Sequence, residues 1–301
     1  MKSIICISAI ALLTSCAHPK DTDRLSVGRG EITIAIDESF EPIAEAQMAA
    51  YNAHYPDAKF HPIYVPEQKA VNYMLSDSAD LIMISRELTL EEQQYYVQRE
   101  REYHPARMAL DAVALITNKE SSLTSIDIAE IEAILKGKKS DIKLIFDNSS
   151  SSNLNLMLSK FDIKEINKAN IFATNGTLEV FEQVEKNKNA IGLIGLNWIS
   201  DEDDKGSMKL KDQIKVLGIT SPNSSEPIFP TVSTIKDQEY PFVKIIYLHT
   251  TQNGWGVAMG FVRFACTQIG QLVVEKMGLQ PYYLIPKNYQ LTSGKPFTVV
   301  E

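Results

Sequence analysis

Apolar and polar positions in this chain fall into short blocks whose period switches repeatedly between two and about 3.6 residues, the signature of strands alternating with helices. "EITIAI" (Glu31–Ile36) reads as a strand. Ile43, Ala46, Ala50 and Tyr51 then share one face of a helix that Pro56 ends. Lys59–Tyr64 is a second strand, Lys69–Ser76 a short helix and Asp80–Ile84 a third strand. Thr89 and Glu92 have the spacing of a capping box for a helix reaching about Arg101. The scheme repeats with a strand over Leu110–Ile116 and a helix marked by Ile128, Ile131 and Leu135 and stopped at Gly137. A strand over Lys143–Phe146 follows, then a helix carrying Leu154, Met157, Leu158 and Phe161. Thr177 opens a helix to about Lys186, and Ala190–Leu196 and Phe242–Leu248 are further strands. Val257–Val274 predicts one long amphipathic helix, Ser200–Gln213 a charged surface loop, and Gln280–Glu301 irregular chain with an edge strand. Such alternation predicts an α/β fold with largely parallel pairing.

The first residues break the pattern. "MKSIICISAIALLTSC" has a basic Lys2, an apolar run from Ile4 to Leu13 and small residues up to Cys16. The run is about half of what a bilayer-spanning helix needs, so residues 1–15 read as a signal peptide. Leu13-Thr14-Ser15-Cys16 resembles the bacterial lipobox, which makes Cys16 the expected site of acylation and of membrane attachment. Residues 16–29 are then a polar tether. Of the three cysteines, Cys6 leaves with the signal and Cys16 carries lipid, so Cys266 has no partner for an intramolecular disulfide and reads as packing.

Composition narrows the function by exclusion. The 301 residues are 44% hydrophobic and 23% charged, ordinary for a globular protein, and the net charge of −8 argues against nucleic acid as a partner. The five histidines are scattered, without a zinc-binding spacing, and phosphate-loop, dinucleotide and nucleophile-elbow motifs are all missing. No metal, cofactor or enzymatic activity is expected. Gly192 and Gly195 read as close-packing positions, Glu91/Glu92 and Glu130/Glu132 as solvated helix faces, and Trp198 and Trp255 as core.

What stands out is a set of strand-to-helix turns rich in small polar residues: "IDESFEP" (Ile36–Pro42), "MISRELT" (Met83–Thr89) and "DNSSSSN" (Asp147–Asn153). In open α/β sheets, ligands bind beyond the carboxyl ends of the strands, where helix N-termini point. A serine at such a turn is by itself more often a cap than a ligand.

These segments resemble the substrate-binding lipoproteins of phosphate-type ABC transporters. "SFEPIAEAQMAAYNAHYPDAKF" is similar to that family's opening loop, first helix and second strand, and "ADLIMISRELTLEE" to a strand that delivers polar residues to the cleft. "ALDAVALITNKES" with "LTSIDIAEIEAILKG" is similar to its crossover into the second lobe. "NAIGLIGLNWI", "YPFVKIIYLHT" and "FVRFACTQIGQLVVEKMGLQP" resemble later strands and the last helix, so the match runs in order from Glu31 to Pro281. The resemblance implies a two-lobed periplasmic-binding-protein fold (type II-like), each lobe a mixed, largely parallel sheet flanked by helices. Lobe 1 is expected over 30–111 plus 232–301 and lobe 2 over 112–231. It implies capture of a small anion, phosphate favoured, for an ABC permease, by a monomer held lipid-anchored on the extracytoplasmic side of the bacterial cell envelope. Carried over by position, Ser39 and Phe40, Ser85 and Arg86, and Ser151, Ser152 and Asn153 are the implied ligand contacts. Three departures bear on the ligand: Asp147 stands where the family has an arginine, Glu67 where it has small residues, and Glu38 flanks the first loop. The other class of reading is an envelope interaction or scaffolding lipoprotein that keeps the fold without binding phosphate.

Overall fold

A computed structural model describes residues 26–164, 170–221, 224–252 and 254–284; the leader with Cys16 and the tail from residue 285 lie outside the described residues. The chain opens with strand β1 (Arg29–Asp37), helix α1 (Glu41–His54), β2 (Asp57–Val65), α2 (Glu67–Leu75) and β3 (Leu81–Ile84). It continues through α3 (Gln94–Val97), β4 (Ala106–Asn118), β5 (Ser125–Asp127), α4 (Ile128–Leu135), β6 (Lys143–Phe146) and α5 (Ser152–Lys160). Then come β7 (Ile171–Ala173), α6 (Thr177–Lys186), β8 (Ala190–Gly195), α7 (Lys205–Gln213), β9 (Ile214–Val216), β10 (Gly218–Ser221) and β11 (Ser224–Ile228). The described chain ends with α8 (Val232–Lys236), β12 (Val243–Thr250), α9 (Val257–Ala265), α10 (Gln268–Lys276) and β13 (Gln280–Pro281).

β2, β1 and β3 pair in parallel, and β12 lies antiparallel between β3 and β4. The thirteen-residue β4 pairs with β12 over Ala106–Ala112 and with β8 over Val113–Thr117, so the ladder passes from one sheet to the next along a single strand. β6 and β7 extend the second sheet in parallel with β8. A small separate sheet joins β5, β10 and β11. The α/β class and the mixed pairing predicted above are thus observed, but the pairing is not largely parallel: among the described strands six pairs are antiparallel and five parallel. Apolar residues occupy both faces of β1 and β3, as a parallel sheet covered on both sides requires. Ile34, Ile36, Leu81 and Met83 pack toward α1, while Ala35, Ile82 and Ile84 pack toward Ala70, Val71 and Met74 of α2. Tyr51 of α1 meets Phe60, Phe261 and Phe264 edge-on, with ring centroids 5.3–5.7 Å apart.

Several predicted elements are corrected. The capping box of Thr89 and Glu92 forms, each backbone N–H donating to the other's side chain, but the only α-helical turn after it is α3. The predicted loop over Ser200–Gln213 contains α7, capped where Asp204 accepts the Ser207 N–H at 2.7 Å. The predicted helix from Val257 is two helices bent by 61° between Ala265 and Gln268. No single helix among the described residues is long and apolar enough to cross a membrane.

Candidate functional site

The carboxyl ends of β1 and β6 each turn into a helix, and the two turns meet. At the first, Asp37 Oδ1 accepts the Ser39 N–H at 3.0 Å, which fixes the 3-10 turn over Glu38–Phe40 ahead of α1. At the second, Ser151 caps α5 by accepting the Leu154 N–H at 3.1 Å. Ser149 and Ser150 are exposed, so the serine run divides into two surface positions, one cap and Ser152. Ser152 Oγ lies 3.0 Å from Ser39 Oγ, and both hydroxyls are fully buried.

A lysine that sequence reasoning missed sits between them. Lys244 comes from β12, is 3% exposed, and donates to Asn153 Oδ1 at 2.7 Å, Ser39 Oγ at 3.0 Å and Ser152 Oγ at 3.2 Å. Its ammonium stands 4.2 Å from the centre of the Phe40 ring and 4.0 Å from Asp111 Oδ2. Lys244 and Asp111 are cross-strand partners on β12 and β4. Each is a charge flanked by apolar residues ("FVKII" and "ALDAV"), and that was the signal available in the sequence.

Of the sequence-derived contacts, Ser39, Phe40, Ser152 and Asn153 therefore converge on one ammonium, while Ser151 serves the helix end behind them. Ser85 and Arg86 are engaged elsewhere. Ser85 donates its N–H and hydroxyl to Glu67 Oε1 at 2.8 and 2.6 Å. Arg86 donates twice to the Glu92 carboxylate at 2.7 and 2.9 Å, and also to Gln68 Oε1 and the Glu87 carbonyl. Arg86 Nε is 3.6 Å from Glu67 Oε2. The hydrogen bonds from Arg86 hold the Glu92 carboxyl down at about 2, so Glu92 is an anchor for Arg86 rather than a solvated helix face.

Carboxylates crowd the cluster. Burial pushes Asp37 up to about 7; Lys244 opposes that rise, and the like charges of Glu67 and Asp147 add to it. Burial likewise raises Asp147 to about 6 and lifts Asp111 and Glu38 above the usual carboxylate range. Asp37 Oδ2 and Asp147 Oδ1 are buried without a hydrogen-bond partner among the described residues. The β8 end closes the site: Asn197 Nδ2 and Trp198 Nε1 donate to the Ser39 carbonyl at 2.8 and 3.2 Å. A Cβ on Gly195 would come within 2.8 Å of that carbonyl oxygen, and one on Gly192 within 2.6 Å of Val180, so both glycines are close-packing positions. Trp198 is buried as expected, whereas Trp255 is 59% exposed and is covered on one face by the Arg263 guanidinium, 4.5 Å from the ring centre. Cys266 is mostly buried, and burial pushes its thiol up to about 12, which makes it packing rather than a nucleophile. Among the described residues no group of three or more His, Cys, Asp or Glu could hold a metal ion.

Two strand ends and two helix starts thus meet around one buried cation. A family model described as the PBP superfamily domain matches residues 22–268. The chain belongs to this family. A relative, the phosphate-binding protein PstS of Staphylococcus aureus, is 22% identical over 284 residues, covering 89% of this chain and 84% of that protein. A substrate-binding protein from Clostridium perfringens, solved with bound phosphate, superimposes with a TM-score of 0.71 at 19% identity, covering 84% of this chain and all of the other. An ABC-type phosphate transport receptor from Vibrio cholerae gives 0.62 at 19% identity, again over 84% of this chain and all of that one. The two-lobed binding-protein fold implied by the sequence is the fold of this family.

Proposed function

We propose that this protein captures a small oxyanion, phosphate before others, for delivery to an ABC permease on the extracytoplasmic side of a bacterial membrane, to which a lipid on Cys16 ties it. The observation that carries the reading is the meeting of Ser39 Oγ and Ser152 Oγ at 3.0 Å around the Lys244 ammonium. Three buried donors with flexible hydrogens, two at helix starts and one on β12, suit an oxyanion, and hydrogen bonds to charged groups contribute about 1.5–3 kcal/mol each. The unpartnered oxygens of Asp37 and Asp147 suit the O–H of a protonated oxyanion such as phosphate. The phosphate-related relatives support the same ligand.

In this reading the molecule is a monomer of two lobes, 30–111 with 232–301 and 112–231. The hinge lies where β4 changes partner at Ala112–Val113 and in the return between Ile228 and Val232. Few crossing segments favour rigid-body opening, which the direct Ser39–Ser152 contact requires before a ligand enters. One observation favours the second reading, a scaffolding lipoprotein: Lys244 is already satisfied by its own neighbours. Calorimetric titration and thermal shift with phosphate, sulfate and nitrate decide between them. A ligand at 100 times its Kd adds about 2.7 kcal/mol of stability; no shift with any oxyanion would leave the scaffold.

A further inference from the structure

β1, β2 and β3 end level with one another: Asp37 is the register partner of Val65, and Ile36 of Met83. Their carboxyl ends therefore bring Asp37, Glu67 and Ser85 to one edge. At that edge Ser85 offers what an anion site needs, a backbone N–H and a hydroxyl, with a guanidinium beside them. All three already face an anion. Glu67 Oε1 takes both Ser85 donors and Glu67 Oε2 faces Arg86 Nε at 3.6 Å. Glu67 is 2% exposed and sits in the first turn of α2, where the helix end favours a negative charge. The four N–H groups on the two terminal nitrogens of Arg86 go to Glu92, Gln68 and the Glu87 carbonyl, which leaves Nε to face Glu67. Within this edge Arg86 and Glu92 cancel, and the charge of Glu67 is left over. Among the described residues of the cluster Lys244 is the cation left to face a ligand, and Asp37, Asp147 and Asp111 surround it.

Building on the oxyanion reading above, we infer that Glu67 is a built-in anion that fixes the charge of the ligand, so that the cleft takes singly charged oxyanions and turns away doubly charged ones. A dianion entering beside Lys244 meets the Glu67 repulsion twice over, in a site where water screens it poorly. A monoanion meets it once and is matched by the ammonium. The discrimination is set by a carboxylate held in place of a ligand, at the start of α2 and outside the Ser39–Ser152 cradle.

The test compares phosphate and sulfate at about pH 6, where phosphate is mostly singly charged and sulfate doubly charged at nearly the same size. The Glu67→Gln variant keeps an oxygen for the two Ser85 donors and loses only the charge. Arg86 stays anchored by Glu92 and Gln68. Sulfate affinity should rise about tenfold in Glu67→Gln and phosphate affinity by about the square root of that factor, roughly threefold, since a monoanion meets half the repulsion. Ser85→Ala, which weakens the same contact and keeps the charge, should leave the phosphate-to-sulfate ratio where it is in the wild type. Sulfate binding that is unchanged in Glu67→Gln, or that rises only in step with phosphate, overturns the inference. If neither protein binds phosphate at that pH, the oxyanion reading itself fails and this one falls with it.

Discussion

Replacing Lys244 by methionine keeps most of the side-chain volume and removes the one ammonium at the centre of the cluster. The variant loses three hydrogen bonds, to Asn153, Ser39 and Ser152, and leaves Asp37, Asp111 and Asp147 buried without their counter-charge. Removing one partner of a buried ion pair costs about 3–5 kcal/mol, chiefly through the charge left behind. That is a large part of the 5–15 kcal/mol that holds a typical domain folded. The cost should depend on pH in a known direction. Asp37 is held at about 7 in the folded protein against an ordinary 3.8, so its protonated form stabilises the fold at low pH, and that stability is lost as pH rises from about 4 through 7. Lys244 opposes the upward shift, so its removal raises the folded value further and extends the loss to higher pH. Urea unfolding followed by circular dichroism at pH 5, 6, 7 and 8 should give a wild-type advantage of about 1 kcal/mol at the acid end, growing to about 3–5 kcal/mol at pH 8. Adding Asp111→Asn to Lys244→Met should recover part of the pH 8 loss, since it removes one of the stranded charges. A difference that is the same at pH 5 and 8, or below 1 kcal/mol throughout, would refute the claim that this lysine neutralises buried carboxylates.

Two more predictions follow from the same residues and from the N-terminus. Asp37→Asn keeps an oxygen for the Ser39 N–H but cannot ionise, so the ligand-free variant should match wild type only near pH 3 and exceed it increasingly from about pH 4, by a few kcal/mol at pH 8, read by urea unfolding over pH 3–8. Buried His249, pushed down to about 4, has the opposite slope between about 4 and 6.5, but it is common to both proteins and cancels in their difference. Cys16→Ser should move the protein from the membrane fraction to the soluble one on cell fractionation; retention would count against the lipid anchor.

The elements most legible in the sequence are those whose signals are local. The strand over Lys143–Phe146 and the helix over Thr177–Lys186 have their predicted bounds, because a short apolar run and the helical spacing of Val180, Phe181 and Val184 are set within a few residues. The break between α9 and α10 was illegible for the opposite reason: the apolar period runs straight through it. Gly270 lets α10 approach the end of α9, since a Cβ there would lie 2.4 Å from Ala265 Cα and from the Phe264 carbonyl. Gln271 then donates to the freed Ala265 carbonyl at 2.7 Å. Helix α7 was hidden because a segment polar on nearly every face has no apolar stripe to betray its period.

The site shows where local reading stops in a second way. Arg86 stands next to Ser85 in a loop at the end of a strand, and nothing nearby in sequence marks it as taken. Its partners are six residues on, at Glu92, and eighteen and nineteen residues back, at Gln68 and Glu67. Lys244 lies 92 positions from Ser152 and 205 from Ser39, in a strand stretch whose neighbouring side chains, Val243, Ile245 and Ile246, are apolar. A charge on a loop costs little in water and so says little about its role, whereas a charge in the middle of a buried strand must find compensation or be costly to fold. Lys244 and Asp111 were for that reason the more informative pair: each is a conflict with its own strand, and only their being neighbours across β12 and β4 resolves it. The cation that a ligand meets is then the one the fold was compelled to compensate, and the loop arginine is the one already paired with Glu67 and Glu92.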